Sequence, residues 1–289
     1  MSYPDISLKE PTSHGTADLP LAWYGHAQRS WDGFYFFPHW HDELELFTVE
    51  KGQIELIVNG AARILTAGST ALIPPRVIHA AHVVAESPVT AQFSAIVFAP
   101  RFIASQTADA VQTVLAKTRV LATVTPGMAN QAALAPLLAQ FATAYTASAP
   151  ERPVILKGTL FLILAQLLAN PVPAQQPTSQ AQLQEQRQKQ ILTYLNAHFA
   201  EPLTVPALAA VINLSTEQFT RFFKAAFRRP PMAFLLAYRL QQAALLLRQT
   251  GAPVTEIAFQ VGFQSANYFA AQFKRHYGVS PTVFRKMTE

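Results

Sequence analysis

Residues 262–281 read GFQSANYFAAQFKRHYGVSP, and this stretch decides how the C-terminal part of the chain folds. Its opening glycine suits the left-handed backbone that ends a helix, and Ser265 is a residue type that caps the start of the next helix. Phe269, Phe273 and Tyr277 follow at helical spacing, so we expect them to form one buried stripe. A short helix, a tight turn and a second helix with a buried stripe are typical of a helix-turn-helix unit.

A second copy of this pattern lies about 50 residues earlier in the chain. Asn213 stands where Gly262 stands in the later copy, and asparagine is the other residue type that tolerates a left-handed backbone. Ser215 begins the following helix and can form a capping box with Gln218. The buried stripe of this copy consists of Phe219, Phe222, Phe223 and Phe227. The sequence therefore predicts two helix-turn-helix units.

The outward faces of the second helix in each unit carry polar and cationic side chains, which we expect to contact DNA. An exposed helix fits the major groove, where arginine can bind guanine through two hydrogen bonds and asparagine can bind adenine. The candidates are Ser215, Glu217, Thr220, Arg221 and Lys224 in the first unit and Ser265, Ala266, Asn267, Lys274 and Arg275 in the second. The lysines and Arg275 are assigned to the phosphate backbone or to plain surface, because lysine supplies charge more than sequence information.

Arg221 has two interpretations. It can contact a base, or it can pair with Glu217 one helical turn earlier and be an ordinary solvated residue. Ala271 occupies the matching position in the second unit, and its methyl group offers no hydrogen bond. The first unit is therefore predicted to be the main reader of sequence.

Charge and composition divide the chain. From Glu185 onward there are 12 lysines and arginines against five glutamates, whereas the preceding residues hold 10 basic and 12 acidic side chains. The basic part favours an anionic partner such as DNA. Residues 171–182, PVPAQQPTSQAQ, have the composition of a linker and lie where the charge changes sign. We predict an α+β protein of two domains, with an N-terminal domain over 1–170, a linker over 171–184 and an all-α DNA-binding domain over 185–289.

The N-terminal part alternates polar and apolar residues between glycine turns, which favours a small β-barrel with flanking helices. Residues 53–58 are typical of a strand, and Asn59-Gly60 is the strongest short hairpin signal. His39 and His41 are two positions apart, so on one strand they share a face. Imidazoles combined with a carboxylate suit first-row divalent metals.

The C-terminal motifs resemble the signature of AraC/XylS-type transcription regulators. The resemblance is carried by Glu256-Ile257-Ala258, Gly262-Phe263, Phe273-Lys274 and Gly278-Val279-Ser280-Pro281, and it covers about residues 185–289. It implies two helix-turn-helix units bridged by a helix and inserted into successive major-groove segments of double-stranded DNA. It also implies a small-molecule effector bound in the N-terminal barrel.

The N-terminal spacing resembles the two cupin motifs, although Arg76 and Val83 depart from them. This resemblance implies that a divalent transition metal is held by His39, His41, Glu45 and His79. The alternative is that the same side chains only hydrogen-bond an effector or the barrel wall. In that case the effector site comprises His39, His41, Glu45, His79, Trp31 and Tyr35.

Two apolar helical segments, 129–147 and 154–169, follow the barrel. They either pack within the chain or form a homodimer, as helices at this position do in similar regulators. The proposed dimer seam consists of Leu160, Ile163, Leu164, Leu167 and Leu168.

Other classes are disfavoured by composition. The chain has no cysteine, so disulfides and thiolate metal sites are excluded. No apolar signal region begins it, and its most apolar run, 159–169, is too short to span a bilayer. We therefore expect a cytoplasmic protein without a membrane partner.

Two function classes remain. The first is a ligand-responsive transcription regulator without enzymatic activity, sensing a sugar or, as second choice, an aromatic acid, with RNA polymerase as partner if it activates. The second is a cupin metalloenzyme, an oxygenase or isomerase, that carries a DNA-binding tail. The DNA-binding motifs occupy over a third of the chain, which favours the regulator.

Overall fold

The computed structural model of the chain describes residues 14–28, 34–84, 89–103, 122–169 and 179–287. Its strands are β1 (Leu21–Ala27), β2 (Phe34–His39), β3 (Leu44–Lys51), β4 (Gln53–Val58), β5 (Ala61–Thr66), β6 (Thr70–Ile73), β7 (His79–Val83), β8 (Gln92–Phe98) and β9 (Ala122–Val124). Its helices are α1 (Pro100–Ile103), α2 (Gln131–Thr146), α3 (Arg152–Leu168), α4 (Ser179–His198), α5 (Val205–Val211), α6 (Thr216–Phe227), α7 (Pro231–Gln249), α8 (Val254–Gln260), α9 (Ala266–Tyr277) and α10 (Pro281–Lys286). The predicted division into a β-rich N-terminal part and a helical C-terminal part is confirmed.

The strands form two antiparallel sheets that face each other. One has the order β1-β8-β3-β6-β9 and the other the order β2-β7-β4-β5. Between them lies a hydrophobic cluster that takes Phe47 and Phe93 from the first sheet and Ile54, Leu56 and Ala81 from the second. The two inner faces therefore close around one core, as in a small barrel.

The predicted hairpin joins β4 to β5. Asn59 and Gly60 both have positive φ, 49° and 79°, and Val58 pairs with Ala61 across the turn. Two consecutive positive φ values match the right-handed twist of the flanking strands, which is why Asn-Gly is favoured there.

Helices α2 and α3 pack on the outside of the first sheet. Leu160, Ile163, Leu164 and Leu167 are all at most 3% exposed, in a cluster with Leu46 of β3. These residues therefore pack within their own chain, so they do not offer the seam that we expected between two copies. The homodimer stays a prediction without that seam.

The C-terminal helices form two helix-turn-helix units, which we call the first unit (α5 and α6) and the second unit (α8 and α9). Helix α7 bridges them. Its residues Phe234 and Tyr238 are buried with the first unit, whereas Ala243 and Leu247 are buried with the second. The predicted architecture of this part is confirmed.

Helix α4 begins at Ser179, so residues 179–184 of the predicted linker are helical. Residues 171–178 and Trp31 lie outside the described ranges. The domain boundary itself stays a prediction. Within the described part of the chain, every helix is too short or too polar to cross a bilayer.

Candidate DNA-binding units and the barrel site

The first unit is built by local capping chemistry. Asn213 adopts a left-handed backbone with φ 53° and ends the turn after α5. The Ser215 hydroxyl accepts a hydrogen bond from the Gln218 backbone N–H at 3.2 Å, and the Gln218 side chain accepts one from the Ser215 N–H at 3.1 Å. This reciprocal capping box fixes where α6 starts.

Helix α6 has a buried and an outward face. Phe219, Phe223 and Phe227 are almost fully buried, which confirms three of the four residues of the predicted stripe, whereas Phe222 is only half-buried at its edge. Glu217, Arg221 and Lys224 are exposed, and Thr220 is half-buried with its hydroxyl donating to the Thr216 carbonyl at 2.8 Å. Within the described residues, Glu217 and Arg221 form no ion pair with each other, so the Arg221 guanidinium is not held by its helical neighbour.

The second unit has the same kind of turn and helix cap as the first, but with fewer polar side chains. Gly262 has φ 89°, and the Ser265 hydroxyl accepts from the Tyr268 backbone N–H at 3.3 Å to cap α9. Asn267, Lys274 and Arg275 are exposed, whereas Ala266 is half-buried against the core of this unit. Tyr268 is also exposed beside Asn267. Sequence reasoning passed over it, because an aromatic residue next to a buried stripe is ordinarily part of the core.

The barrel brings the four predicted ligand residues together. His39 ends β2, His41 lies between β2 and β3, Glu45 is on β3, and His79 begins β7. Each offers one ligand atom, and these four atoms all lie within 4.8 Å of one another. His41, Glu45 and His79 are buried, at 2%, 4% and 1% exposure. We call His39, His41, Glu45 and His79 the four-residue cluster.

Backbone carbonyls fix the orientation of all three imidazoles. Nδ1 of His39 lies 2.8 Å from the Phe37 carbonyl oxygen, Nδ1 of His41 lies 3.1 Å from that of Glu43, and Nδ1 of His79 lies 2.8 Å from that of Val77. A carbonyl oxygen can only accept, so each Nδ1 carries the hydrogen. The Nε2 atom of each ring is then the one left for the cluster.

Glu45 lies at the centre of this arrangement. Its Oε2 is 3.2 Å from Nε2 of His41 and 3.0 Å from Nε2 of His79. Two neutral rings would point lone pairs at a carboxylate, which is unfavourable. A proton on each Nε2 or a metal cation between the groups removes the conflict. The donor set therefore fits a divalent transition metal.

The charge state of Glu45 follows from the same neighbours. Burial by itself raises the pKa of this carboxyl, but the charge of His79 and the hydrogen bonds from His41 and His79 outweigh burial. The pKa of Glu45 therefore lies well below its ordinary value, and the cluster holds an ionised carboxylate.

The remaining predicted effector residues lie elsewhere or outside the described ranges. Tyr35 is buried in the barrel core, and its hydroxyl accepts a hydrogen bond from the Ala91 N–H at 3.1 Å. Trp31 is not among the described residues. His14 was not predicted, because no motif includes it. Its buried ring lies 5.4 Å from the ring of His41, and its Nδ1 is 2.8 Å from the Tyr24 hydroxyl.

Comparisons with known proteins match both parts of the chain. Residues 20–164 match the family described as AraC-like ligand binding domain, and residues 208–287 match the one described as Helix-turn-helix domain. YdeC, an uncharacterized HTH-type transcriptional regulator of Bacillus subtilis (strain 168), is 26% identical over 293 residues, covering 98% of this chain and 97% of that protein. The HTH-type transcriptional activator RhaS of Klebsiella pneumoniae (strain 342) is 33% identical over 127 residues, 44% of either chain.

Among solved structures, an apo variant of ToxT from Vibrio cholerae strain SCE256 aligns over 96% of this chain and 100% of its own, with a TM-score of 0.44 and 12% identity. The match to the ligand-binding family spans half of the 289 residues and is followed by the match to the helix-turn-helix family. The chain therefore belongs to the AraC family of DNA-binding transcription regulators, with an AraC-like ligand-binding domain ahead of its helix-turn-helix domain.

Proposed function

We propose that the chain is a sequence-specific transcription regulator, without enzymatic activity, whose barrel responds to a divalent transition metal held by the four-residue cluster. The observation that carries the proposal is the convergence of three Nε2 atoms and one ionised carboxylate, with every Nδ1 already bonded to a carbonyl. Such outer hydrogen bonds orient imidazoles toward a metal and raise their basicity. The metal is either the signal itself or the anchor of a small effector.

A sugar is less well supported by the geometry. That expectation rested on indole faces and hydrogen-bonding carboxylates, and Trp31 lies outside the described residues. Tyr35, the other aromatic residue assigned to the effector site, already uses its hydroxyl to accept a hydrogen bond from the Ala91 amide. Three of the four residues of the cluster are at most 4% exposed, and the four ligand atoms lie within 4.8 Å of one another, which suits an ion better than a pyranose ring. We therefore place a metal ahead of a sugar or an aromatic acid.

The enzymatic alternative is disfavoured by the relatives. YdeC and RhaS are named as transcription regulators, and the former aligns with almost the whole chain. A regulator needs the ligand-bound and ligand-free barrels to present the DNA-binding units differently, whereas an enzyme also needs an open coordination position. A cytoplasmic location follows from action on DNA.

Two further partners belong to this proposal. A second copy of the chain is expected, and α3 exposes Val154 and Leu162, at 74% and 54%, on the side away from the barrel core. RNA polymerase is expected as well if binding activates transcription. Sedimentation of the full chain measures the first, and transcription in vitro measures the second.

Metal analysis combined with DNA binding tests the central claim. Protein purified without a metal-affinity tag is analysed for metals before and after incubation with Zn²⁺, Ni²⁺, Co²⁺ or Mn²⁺. Its affinity for sites selected from a random DNA library is then measured with and without the ion. We expect one ion per chain, a change in DNA affinity, and loss of both in Glu45→Gln and His41→Ala. His198→Ala is the matched control, because His198 pairs with Glu201 on the surface and lies outside the cluster.

The same protein is screened by thermal shift against sugars and aromatic acids, because a ligand that binds only the folded state raises the melting temperature. A chain that binds no ion, or binds it equally in Glu45→Gln, rules out the metal. Turnover of a candidate substrate by the metal-loaded chain would restore the enzymatic interpretation.

A further inference from the structure

The barrel and the first unit share one hydrophobic core. Phe37 and Ile57 of the barrel lie in the same cluster as Phe223 of α6 and Phe234 of α7. The rings of Phe37 and Phe234 are 5.8 Å apart, and both residues are buried. The second unit has a cluster of its own, which contains none of the described barrel residues. The two units are thus attached to the barrel unequally.

Polar contacts surround this shared core, and several gather at the C-terminal end of α6. The Arg228 guanidinium lies 3.8 Å from the Glu55 carboxylate of β4, with both side chains half-exposed. The Arg229 guanidinium carbon lies 5.1 Å from the centre of the Phe34 ring on β2, a cation–π distance. At the other edge, the Asn59 amide donates to the Glu185 carboxylate of α4 at 3.4 Å.

The backbone at Arg228 is strained. It adopts φ 56° at the end of α6, the same left-handed conformation that Gly278 adopts with φ 79° at the end of α9. Glycine occupies this conformation without cost, whereas a residue with a Cβ is disfavoured there. The first unit therefore has an arginine where the second unit has the unstrained glycine, and this arginine contacts Glu55 of the barrel.

Strand β7 links this contact to the four-residue cluster. His79 begins the strand, Ala80 lies in the shared core, and the His82 ring is 3.8 Å from the Phe34 ring that Arg229 covers. In the pairing of β4 with β7, Glu55 lies opposite His82. A cavity of about 10 Å³ is lined by His79 on the barrel side and by Ala226 and Phe227 of α6. Strand β7 therefore connects His79 to the contacts between the barrel and the first unit.

We propose that the barrel acts on DNA through the first unit alone, and that Arg228 couples the two by its contact with Glu55. Occupancy of the four-residue cluster shifts β7 and its partner β4, and the contacts of Arg228 and Arg229 transmit the shift to the end of α6. The second unit, whose core contains none of the described barrel residues, keeps its position. The ligand-dependent part of this inference rests on the proposed function, whereas the mechanical coupling does not.

Hydrogen exchange of the full chain, measured by mass spectrometry, tests the coupling without any ligand. Arg228→Gln keeps a polar side chain with a Cβ on the left-handed backbone and removes the charged guanidinium, and Glu55→Gln removes the charge of its partner. We expect each variant to accelerate exchange in residues 216–229 by about two- to fivefold, the range open to a half-exposed ion pair. The double variant should accelerate exchange no more than either single variant does, and exchange in residues 266–277 should not change. Lys224→Gln is the control, because Lys224 is exposed on the same helix.

Three results would overturn the coupling: no acceleration in either variant, additive effects in the double variant, or an equal response in residues 266–277. A second arm adds Zn²⁺ to the metal-free chain and follows its uptake. We expect exchange to change in residues 216–229, and to change less in Glu55→Gln. An ion that is taken up but alters both units equally contradicts the inference. A chain that takes up no zinc removes this ion from the proposed function, and the ligand-free comparison still decides the coupling.

Discussion

Gly262, in the turn of the second unit, lies against the backbone of Ala200. A Cβ placed on Gly262 would lie 2.6 Å from the carbonyl oxygen of Ala200, and the glycine has φ 89°. We predict that Gly262→Ala destabilises the full chain by more than about 2 kcal/mol, because left-handed strain and a backbone overlap add. Urea unfolding measures the loss.

Gly278→Ala is the matched control for that substitution. Its φ of 79° is similar, but no described atom lies within 4 Å of the added Cβ. Only the left-handed strain remains, so we expect a loss of about 1–2 kcal/mol. Equal losses of stability at the two positions would mean that the close approach to Ala200 does not add to the cost of a Cβ on Gly262.

Arg221 is predicted to be the main base-reading residue. Its side chain is exposed on α6 and, among the described contacts, is not paired with Glu217, so the guanidinium can bind guanine through two hydrogen bonds. Arg221→Ala should cost about 1–3 kcal/mol on the preferred site and relax the preference at one base pair. The measurement is a binding titration against a library of sites at two salt concentrations.

Two substitutions in α9 serve as comparisons. Lys274→Ala should weaken binding to all sequences and reduce the salt dependence by roughly one unit, as loss of a phosphate contact does. Asn267→Ala should change the base preference less than Arg221→Ala. If Arg221→Ala weakens all sites alike, Arg221 contacts phosphate and the first unit is not the main reader.

His82 should make the stability depend on pH. Burial, with the positive charges of Arg229 and Arg228, lowers the pKa of His82 from its ordinary 6.5 to about 4. Between these values the unfolded chain binds the proton and the folded chain does not, so stability falls as the pH falls from 6.5 to 4. Because the ring is partly exposed, we expect a loss of roughly 1–2 kcal/mol.

Urea unfolding measures the free energy of unfolding at about pH 7 and at about pH 4.5, two values between which most of this stability is lost. His82→Gln should flatten the pH dependence relative to the unsubstituted chain. Thr193→Ala, which alters an exposed side chain that carries no titratable group, should leave it unchanged. An identical pH dependence in both variants would mean that His82 takes up its proton as easily in the folded chain as in the unfolded one.

Mild proteolysis should cut the chain between residues 170 and 178, where the Pro/Gln-rich composition is typical of a linker. We expect the two fragments to stay together in gel filtration, because Phe37 and Phe234 belong to one buried cluster, and to separate only in denaturant. Cleavage mainly inside residues 190–285 would contradict the predicted boundary.

The helix-turn-helix units could be predicted because their signals are local. The capping box of Ser215 with Gln218 and the left-handed positions at Asn213 and Gly262 depend on a few neighbouring residues, and each appears as expected. The four-residue cluster was predicted through the resemblance to the cupin motifs, and its side chains do lie together. Strand geometry alone was insufficient, because His41 lies beyond the end of β2 and does not share a strand with His39.

Contacts between distant segments could not be predicted. The periodicity of α3 shows that Leu160 and Leu164 are buried, but it does not say whether their own barrel or a second copy covers them. Likewise, aromatic residues in β2 indicate a core without showing that Phe37 packs on the first unit. His14 reaches the four-residue cluster from outside every motif.

Helix α7 belongs to two cores, since its first half is buried with the first unit and its second half with the second. Its 19 residues span roughly 28 Å at the usual helical rise. Successive major-groove segments on one face of DNA are about 34 Å apart. Because the length of a helix is fixed, α7 sets a fixed distance between the two units. If the two units bind successive major-groove segments, as the family resemblance implies, moving one half-site by about five base pairs turns it to the opposite face of the duplex, and we expect the second unit not to reach it. The distance between half-sites is then as much a part of the target as the bases within them.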